Sequence, residues 1–461
     1  MNKNKIDIQR HVALNSRRRF LRIVVAIAIP SLLLGSASMS SAVSPAKAIK
    51  TPVTLTVQSG DGGSDALLKG YAALNKAFEA AHPGVTIKFT VKNFNDLVNT
   101  LKIQLSGSTV PDVTQVNQGF GSLGQLVTDK LVASLDSAAS TYKWSTRQSA
   151  ALLALDGKFS PDGKKMGSGS LYGISSTGAW VGLFMNKAVA KKAGIADAPT
   201  NLAELTADLQ KAKAAGVIPL AYGTTDGAEP IWLFGNLLMA LGTPQLLTDI
   251  VNGVSATLPP QTLAAAKIIK TWADSGYFTP GANAYSSNDA VAHFAKGNNL
   301  FVLNGSWSVF ASATPKNFTL VPFPTGKSSA KASIATGDLP WSIPAKAANP
   351  ELAAMYLDFI TDPKNNNVWI ANGQVPASVS ASDAALVVSN KIVGVSADAV
   401  TNWGTLVKTG TALPFPDWAT PTFYDTVSKS AQSLAAGKMT PEKFVATLQA
   451  DYGAFYAKQH G

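Results

Sequence analysis

The sequence predicts an α/β protein built on a mostly parallel sheet with helices on both faces. Two observations carry this. From Thr51 onward, short alternating-apolar runs are interleaved with segments apolar at helical spacing. The composition, 46% apolar and 15% charged over 461 residues, supports sizeable cores and about two or three domains.

Val53–Gln58 alternates as a half-buried strand. Ala66–Ala81 follows with Leu67, Leu68, Tyr71, Leu74, Ala77 and Phe78 at helical spacing, and Pro83-Gly84 ends it. Val85–Val91 is a second strand. Asp96–Leu105 is a helix with Leu97, Leu101 and Leu105 on one face, and Val113–Val116 is a third strand before a helix at 123–129. Residues 137–170 are rich in Ser, Gly and Lys and read as irregular, and 171–185 runs strand-like with breaks at Gly173 and Gly178. Helices are expected at 187–193, 202–215, 231–241, 261–275 and 288–296, and strands at 299–303 and 318–321. Later helices open at Asn349-Pro350-Glu351, Asp362-Pro363 and Thr440-Pro441-Glu442, with proline at the first helical position.

The formal charge of +11 is mostly N-terminal. Residues 1–50 hold nine basic residues and one acid, and the rest of the chain holds 30 and 27. The body therefore lacks the basic excess that marks a nucleic-acid partner. Arg17, Arg18, Arg19 and Arg22 precede a twelve-residue apolar run, Ile23–Leu34. That run is short for a membrane span of about 20 residues and suits an export signal. Ser16-Arg17-Arg18-Arg19-Phe20-Leu21-Arg22 resembles a twin-arginine motif. Residues 1–48 are thus expected to be an export signal, cleaved after Ala42 or Ala48. Ser36 stands where a lipobox would place the acylated cysteine, so the protein is expected to be exported, periplasmic or extracellular, and not lipidated. A signal anchor is the alternative.

Zero cysteines exclude disulfides, thiol nucleophiles and cysteine-ligated metals. The four histidines, His11, His82, His293 and His460, are scattered, so no metal is expected and no cofactor is called for. There is no GxSxG and no GxxxxGK[ST]. Gly119-Phe120-Gly121-Ser122-Leu123-Gly124 fits GxGxxG formally but follows the third strand, with Asp136 only 12 residues past Gly124. It reads as a tight loop before a helix.

Four stretches together resemble the extracellular solute-binding proteins of ATP-driven sugar importers, the group that contains maltose-binding protein. They are Ala77–Gly84; Val110–Asp136; Tyr172–Ala193 with Met185-Asn186-Lys187; and Asn304–Ala377 with Asn304-Gly305-Ser306-Trp307 and Pro322-Phe323-Pro324. The resemblance covers about residues 52–457. It departs at Met185, where tyrosine is usual, and at the missing lipobox cysteine. It implies a type II periplasmic-binding-protein-like fold, two hinge-linked lobes with the ligand between them. Lobe 1 would be 51–175 plus 325–361, and lobe 2 would be 179–322 plus 364–461. The crossings would fall near Ile174–Ala179, Phe323–Ser328 and Thr361–Lys364. The function implied is a non-enzymatic receptor, monomeric, that binds a sugar or oligosaccharide and delivers it to membrane permease subunits served by a separate ATPase. Alternatives are a receptor for another polar solute (a polyol, amino sugar or glycerol phosphate) or an exported glycan-active enzyme.

A sugar offers apolar C–H faces and a rim of hydroxyls, so a site for it needs Trp or Tyr beside Asp, Glu, Asn or Gln. The expected ligand-binding residues are Asp61 after the first strand, Asn117 and Gln118 after the third, Trp180 at the first crossing, Glu229 and Trp232 in Glu229-Pro230-Ile231-Trp232, Trp307, Asp338 and Trp341 after the second crossing, and Trp418 and Phe423 in the segment 416–423. Trp144, Trp272, Trp369 and Trp403 are assigned to packing.

Overall fold

The computed structural model describes residues 51–308, 315–326 and 332–460. The expected export signal, its expected cleavage sites and Ser36 lie outside the described residues. Two sheets organise the chain. The smaller runs β11-β3-β1-β2, comprising β1 (Val53–Ser59), β2 (Val85–Val91), β3 (Val113–Gln115) and the later β11 (Trp341–Ser342). β1 is parallel to β2 and to β3, with Val57 opposite Phe89 and Val113, and β11 is antiparallel to β3. Between these sheets in sequence, β4 (Lys158–Phe159) and β5 (Ser170–Leu171) form a two-stranded ribbon. The larger sheet runs β12-β10-β6-β8-β7 and contains β6 (Gly178–Asn186), β7 (Ile218–Ala221), β8 (Asn299–Gly305), β9 (Phe318–Pro322), β10 (Ser333–Gly337) and β12 (Ala412–Leu413), with β9 also on β6.

The helix Asp65–Ala81 shows why the smaller sheet holds. Ser64 caps it, its hydroxyl accepting from Leu67 N–H at 3.4 Å. Its buried stripe of Leu67, Tyr71, Leu74 and Phe78 packs with Leu55, Val57, Trp341 and Trp369. The Tyr71 ring meets two indoles edge-on, Trp341 at 5.2 Å and Trp369 at 5.0 Å. Asp112, just before β3, ties this layer to a distant helix start. It accepts from Thr56 N–H at 2.9 Å and Thr56 Oγ1 at 2.7 Å, and its other oxygen accepts from Asn349 N–H at 2.9 Å.

Three chain passages join the sheets. The first runs through Ile174–Thr177 into β6, with Ile174 and Trp341 exchanging backbone hydrogen bonds at 3.1 and 2.9 Å. The second differs from the expected Phe323–Ser328. β10 pairs with β6 and β12, so the chain is still in the larger sheet at Gly337 and leaves it through Asp338-Leu339-Pro340 into β11. Residues 327 and 328 of the expected crossing lie outside the described residues. The third also lies later than the expected Thr361–Lys364. Trp369 packs on Tyr71 and crowds Gly70, holding the helix Asn366–Ala371 against the smaller sheet's side. The passage follows at Val375–Ala377, where Val375 O accepts from Gly178 N–H at 2.8 Å and Ala377 N–H donates to Ser176 O at 3.2 Å.

The segment read as irregular contains the helix Ala150–Gly157, capped by Ser149 on Leu152 N–H at 3.1 Å. Among the described residues, no helix is long and apolar enough to cross a membrane.

Candidate functional site

The loops that leave β1 and β3 face the second passage. Gln115, at the end of β3, organises them. Its Oε1 accepts from Gly60 N–H at 2.7 Å and Ser59 Oγ at 2.9 Å, and its Nε2 donates to Asp61 Oδ2 at 2.8 Å and Tyr71 Oη at 3.2 Å. Asp61 is thereby aimed by a buried amide. Gln118 Nε2 reaches across to Gly337 O at 2.9 Å, on the strand about to leave the larger sheet. Asn117 is half-buried, and its backbone carbonyl accepts from Leu123 N–H at 3.1 Å.

Asp338 sits on the second passage itself and is half-buried. Its N–H donates to Thr177 O at 2.7 Å, and Ser175 Oγ donates to its carbonyl at 2.6 Å, lacing the first two passages together. Asp156, which sequence reasoning missed, is fully buried beside it. Asp156 Oδ1 accepts from Gly337 N–H at 2.8 Å and Thr336 Oγ1 at 3.1 Å, while Oδ2 has no partner. Burial pushes all three carboxyls up: Asp61 to about 6, Asp156 to about 7 and Asp338 to about 8, the last also raised by the Asp61 charge.

These shifts have a signed consequence. Each group binds its proton more tightly folded than unfolded, so stability is full below about pH 4 and falls as pH rises through the folded values near 6 to 8. Each such group contributes a slope of about 1.4 kcal/mol per pH unit within its interval. Urea midpoints of the wild type are expected to fall between pH 5 and 8. Asp156→Asn flattens the profile, and an unchanged slope in that variant contradicts the assignment.

On the other side, the helix Ala228–Leu241 carries Glu229 and Trp232. Glu229 Oε2 accepts from Gly223 N–H, and Oε1 has no partner. Burial raises this carboxyl well above the usual range, against the pull of the Gly223 N–H. Trp232 and Trp307 meet edge to face at 5.5 Å and 70°, with Trp307 half-buried at the end of β8. Gly305 makes that placement possible, because a Cβ there would lie 2.2 Å from the Trp307 ring.

Trp418 closes one end. Its ring lies over Gly119, where a Cβ would come within 2.7 Å, and Gly119 has φ +79°. Phe120 meets Phe455 at 5.1 Å, so the Gly119–Gly124 loop packs on the helix Pro441–His460. The helix after it, Leu123–Thr128, is six residues long. Asp417 beside Trp418 is pushed up to about 7 by burial.

Three expected contacts lie elsewhere. Trp180 is enclosed in the larger sheet, its Nε1 donating to Ala399 O at 3.0 Å. Trp341 is enclosed against Tyr71, its Nε1 donating to Ser176 Oγ at 3.2 Å. Phe423 is buried beside Tyr452 at 6.3 Å. In each case protein atoms occupy the ring's surroundings. The structure thus groups Asp61, Gln118 and Asp338 at the passages, and Trp232 and Trp307 on the larger-sheet side. Trp418 lies over Gly119, beside the end of β3.

Two α/β lobes, three passages between their sheets and polar loops converging on those passages define a hinged, two-lobed binding protein. The chain belongs to the family of bacterial extracellular solute-binding proteins, whose model matches residues 73–395. A binding protein of Brucella abortus is 29% identical over 231 residues, 49% of this chain and 52% of that one. The chain thus spans about half the length of the curated relatives it matches. Among solved structures, a chitin oligosaccharide binding protein superposes with a TM-score of 0.73 at 20% identity, covering 88% of this chain and 99% of the other. The GacH receptor of Streptomyces glaucescens, solved unliganded and with acarbose, superposes at 0.69 with 21% identity, covering 88% and 98%. At these identities the likeness is one of fold.

Proposed function

We propose that this protein is the extracytoplasmic receptor of an ATP-driven importer, binding a sugar or oligosaccharide between its lobes and handing it to a membrane permease. The observation that carries the reading is the Trp232–Trp307 pair, a half-buried Trp307 resting on a buried Trp232, in a protein whose opposite lobe presents Asp61, Gln118 and Asp338. Indole faces stack on sugar C–H surfaces, and carboxyl and amide groups bond the hydroxyls. One structural neighbour is named a chitin oligosaccharide binding protein and another was solved in complex with acarbose, which supports a glycan. Asn117 and Trp418 complete the proposed site from the two sides of the Gly119 contact. In this reading lobe 1 carries the smaller sheet and lobe 2 the larger. The receptor is exported without a lipid anchor, acts as a monomer, performs no chemistry on its ligand and depends on a separate ATPase.

The test is melting temperature across a panel of mono-, di- and oligosaccharides, polyols and phosphorylated sugars. Ligand at 100 times its Kd stabilises by about 2.7 kcal/mol, which a melt resolves. A rise with one sugar class is the expected result. A rise only with polyols or phosphorylated solutes contradicts the sugar assignment.

A further inference from the structure

A pocket of about 310 Å³ opens beside the third passage and contains none of the residues assigned to the sugar. One wall is the segment 145–149, which leads into the helix Ala150–Gly157. Ala377 and Val379, at the end of the third passage, form a second wall. Val407 and Lys408, in the last turn of the helix Val395–Thr409, form a third. The volume falls at the lower end of the range of about 300–1,000 Å³ usual for small-molecule sites. Gln148 is the buried polar group in the wall. Its Nε2 donates to Ser175 O, on the first passage, at 2.7 Å and to Ser378 Oγ, just past the third, at 3.3 Å. Its Oε1 is buried and has no partner among the described residues, which is costly unless a donor reaches it. Lys408 is exposed and, among the described residues, in no ion pair. Arg147, the other cation of the wall, is committed to Asp358 at 2.7 Å and Asp362 at 3.9 Å. Val379 and Val407 are half-buried and offer an apolar face.

We propose that this pocket is a second binding site, at the hinge, for a small hydroxycarboxylate the size of a sugar acid. The carboxylate pairs with the Lys408 ammonium, a hydroxyl donates to Gln148 Oε1, and the carbon chain rests on Val379 and Val407. Simpler ligands meet only part of this pattern. An inorganic anion answers Lys408 alone. A carboxylate without hydroxyls leaves Gln148 Oε1 unpaired, and a neutral polyol leaves the ammonium unpaired. Because Gln148 is bonded both to Ser175 and to Ser378, the occupant sits where the first and third passages are tied together.

The test is calorimetric titration of the protein with gluconate, galacturonate, tartrate and citrate, and with hexanoate and inorganic phosphate as controls. Saturable binding of at least one hydroxycarboxylate is the expected result. Hexanoate, which keeps the charge and loses the hydroxyls, is expected to bind about tenfold more weakly or worse, the scale of leaving a buried acceptor unpaired. Lys408→Met removes the cation and Ser145→Trp fills the pocket. Both positions are exposed, so both variants are expected to fold, and each is expected to weaken binding about tenfold or more. Should one of them fold poorly, the other gives the same reading. No binding by any of the four hydroxycarboxylates overturns the proposal, and so does equal binding of hexanoate or phosphate. Binding that survives both pocket variants, or that is lost instead in Trp307→Ala, places the acid elsewhere and also overturns it. No neutral sugar is used, so failure here is distinct from failure of the sugar panel.

Discussion

Trp341→Ala is expected to cost about 3–5 kcal/mol of unfolding free energy, the range for removing a fully buried large aromatic. The indole is enclosed, its ring meets Tyr71 edge-on at 5.2 Å, and its Nε1 donates to Ser176 Oγ at 3.2 Å. Truncation opens a cavity under the helix Asp65–Ala81. It also leaves Ser176 without that donor on the first passage, whose hydroxyl then relies on Tyr71 Oη at 3.2 Å. Urea unfolding of both proteins checks this. A loss under about 1 kcal/mol, typical of a surface position, would return Trp341 to the cleft wall that sequence reasoning gave it.

The second large effect is on binding. Trp307→Ala is expected to weaken affinity for the bound sugar about 30-fold, equivalent to about 2 kcal/mol, the scale of an aromatic anchor in a recognition site. Its stability cost is expected to be smaller than that of Trp341→Ala, because Trp307 is half-buried and rests on Trp232 and Gly305 rather than within a core. Calorimetric titration of wild type and variant separates the two effects. Equal affinities would remove Trp307 from the site. The two tryptophans thus predict opposite signatures, stability without direct contact for Trp341 and contact with little stability for Trp307.

Much of the fold was legible because its elements are strongly periodic. The strands Val53–Ser59 and Val85–Val91 and the helices at 65–81 and 202–214 fall within about a residue of the pattern that predicts them. The passages were less so. The switch at Asp338-Leu339-Pro340 joins two strands of different sheets with three residues between them, and strand periodicity does not say which sheet a strand joins. Ser149 followed by Ala-Ala-Leu-Leu-Ala-Leu was a usable signal for the helix that carries Asp156, masked by the polar residues on either side. Gln115 carried a signal as well: a polar residue inside the wholly buried run Val113–Val116 needs partners, and it has five. The tryptophans were the least legible. Trp180, Trp307 and Trp341 all sit near strand ends, and only packing distinguishes an indole that is saturated by protein from one that is accessible.

The most direct test of the receptor assignment is calorimetric titration with the sugar class that raises the melting temperature, followed by recovery of the sugar. The account predicts saturable heat at one site per chain and a sugar recovered unchanged. Recovery of cleaved sugar, or no saturable heat with any sugar, would contradict it.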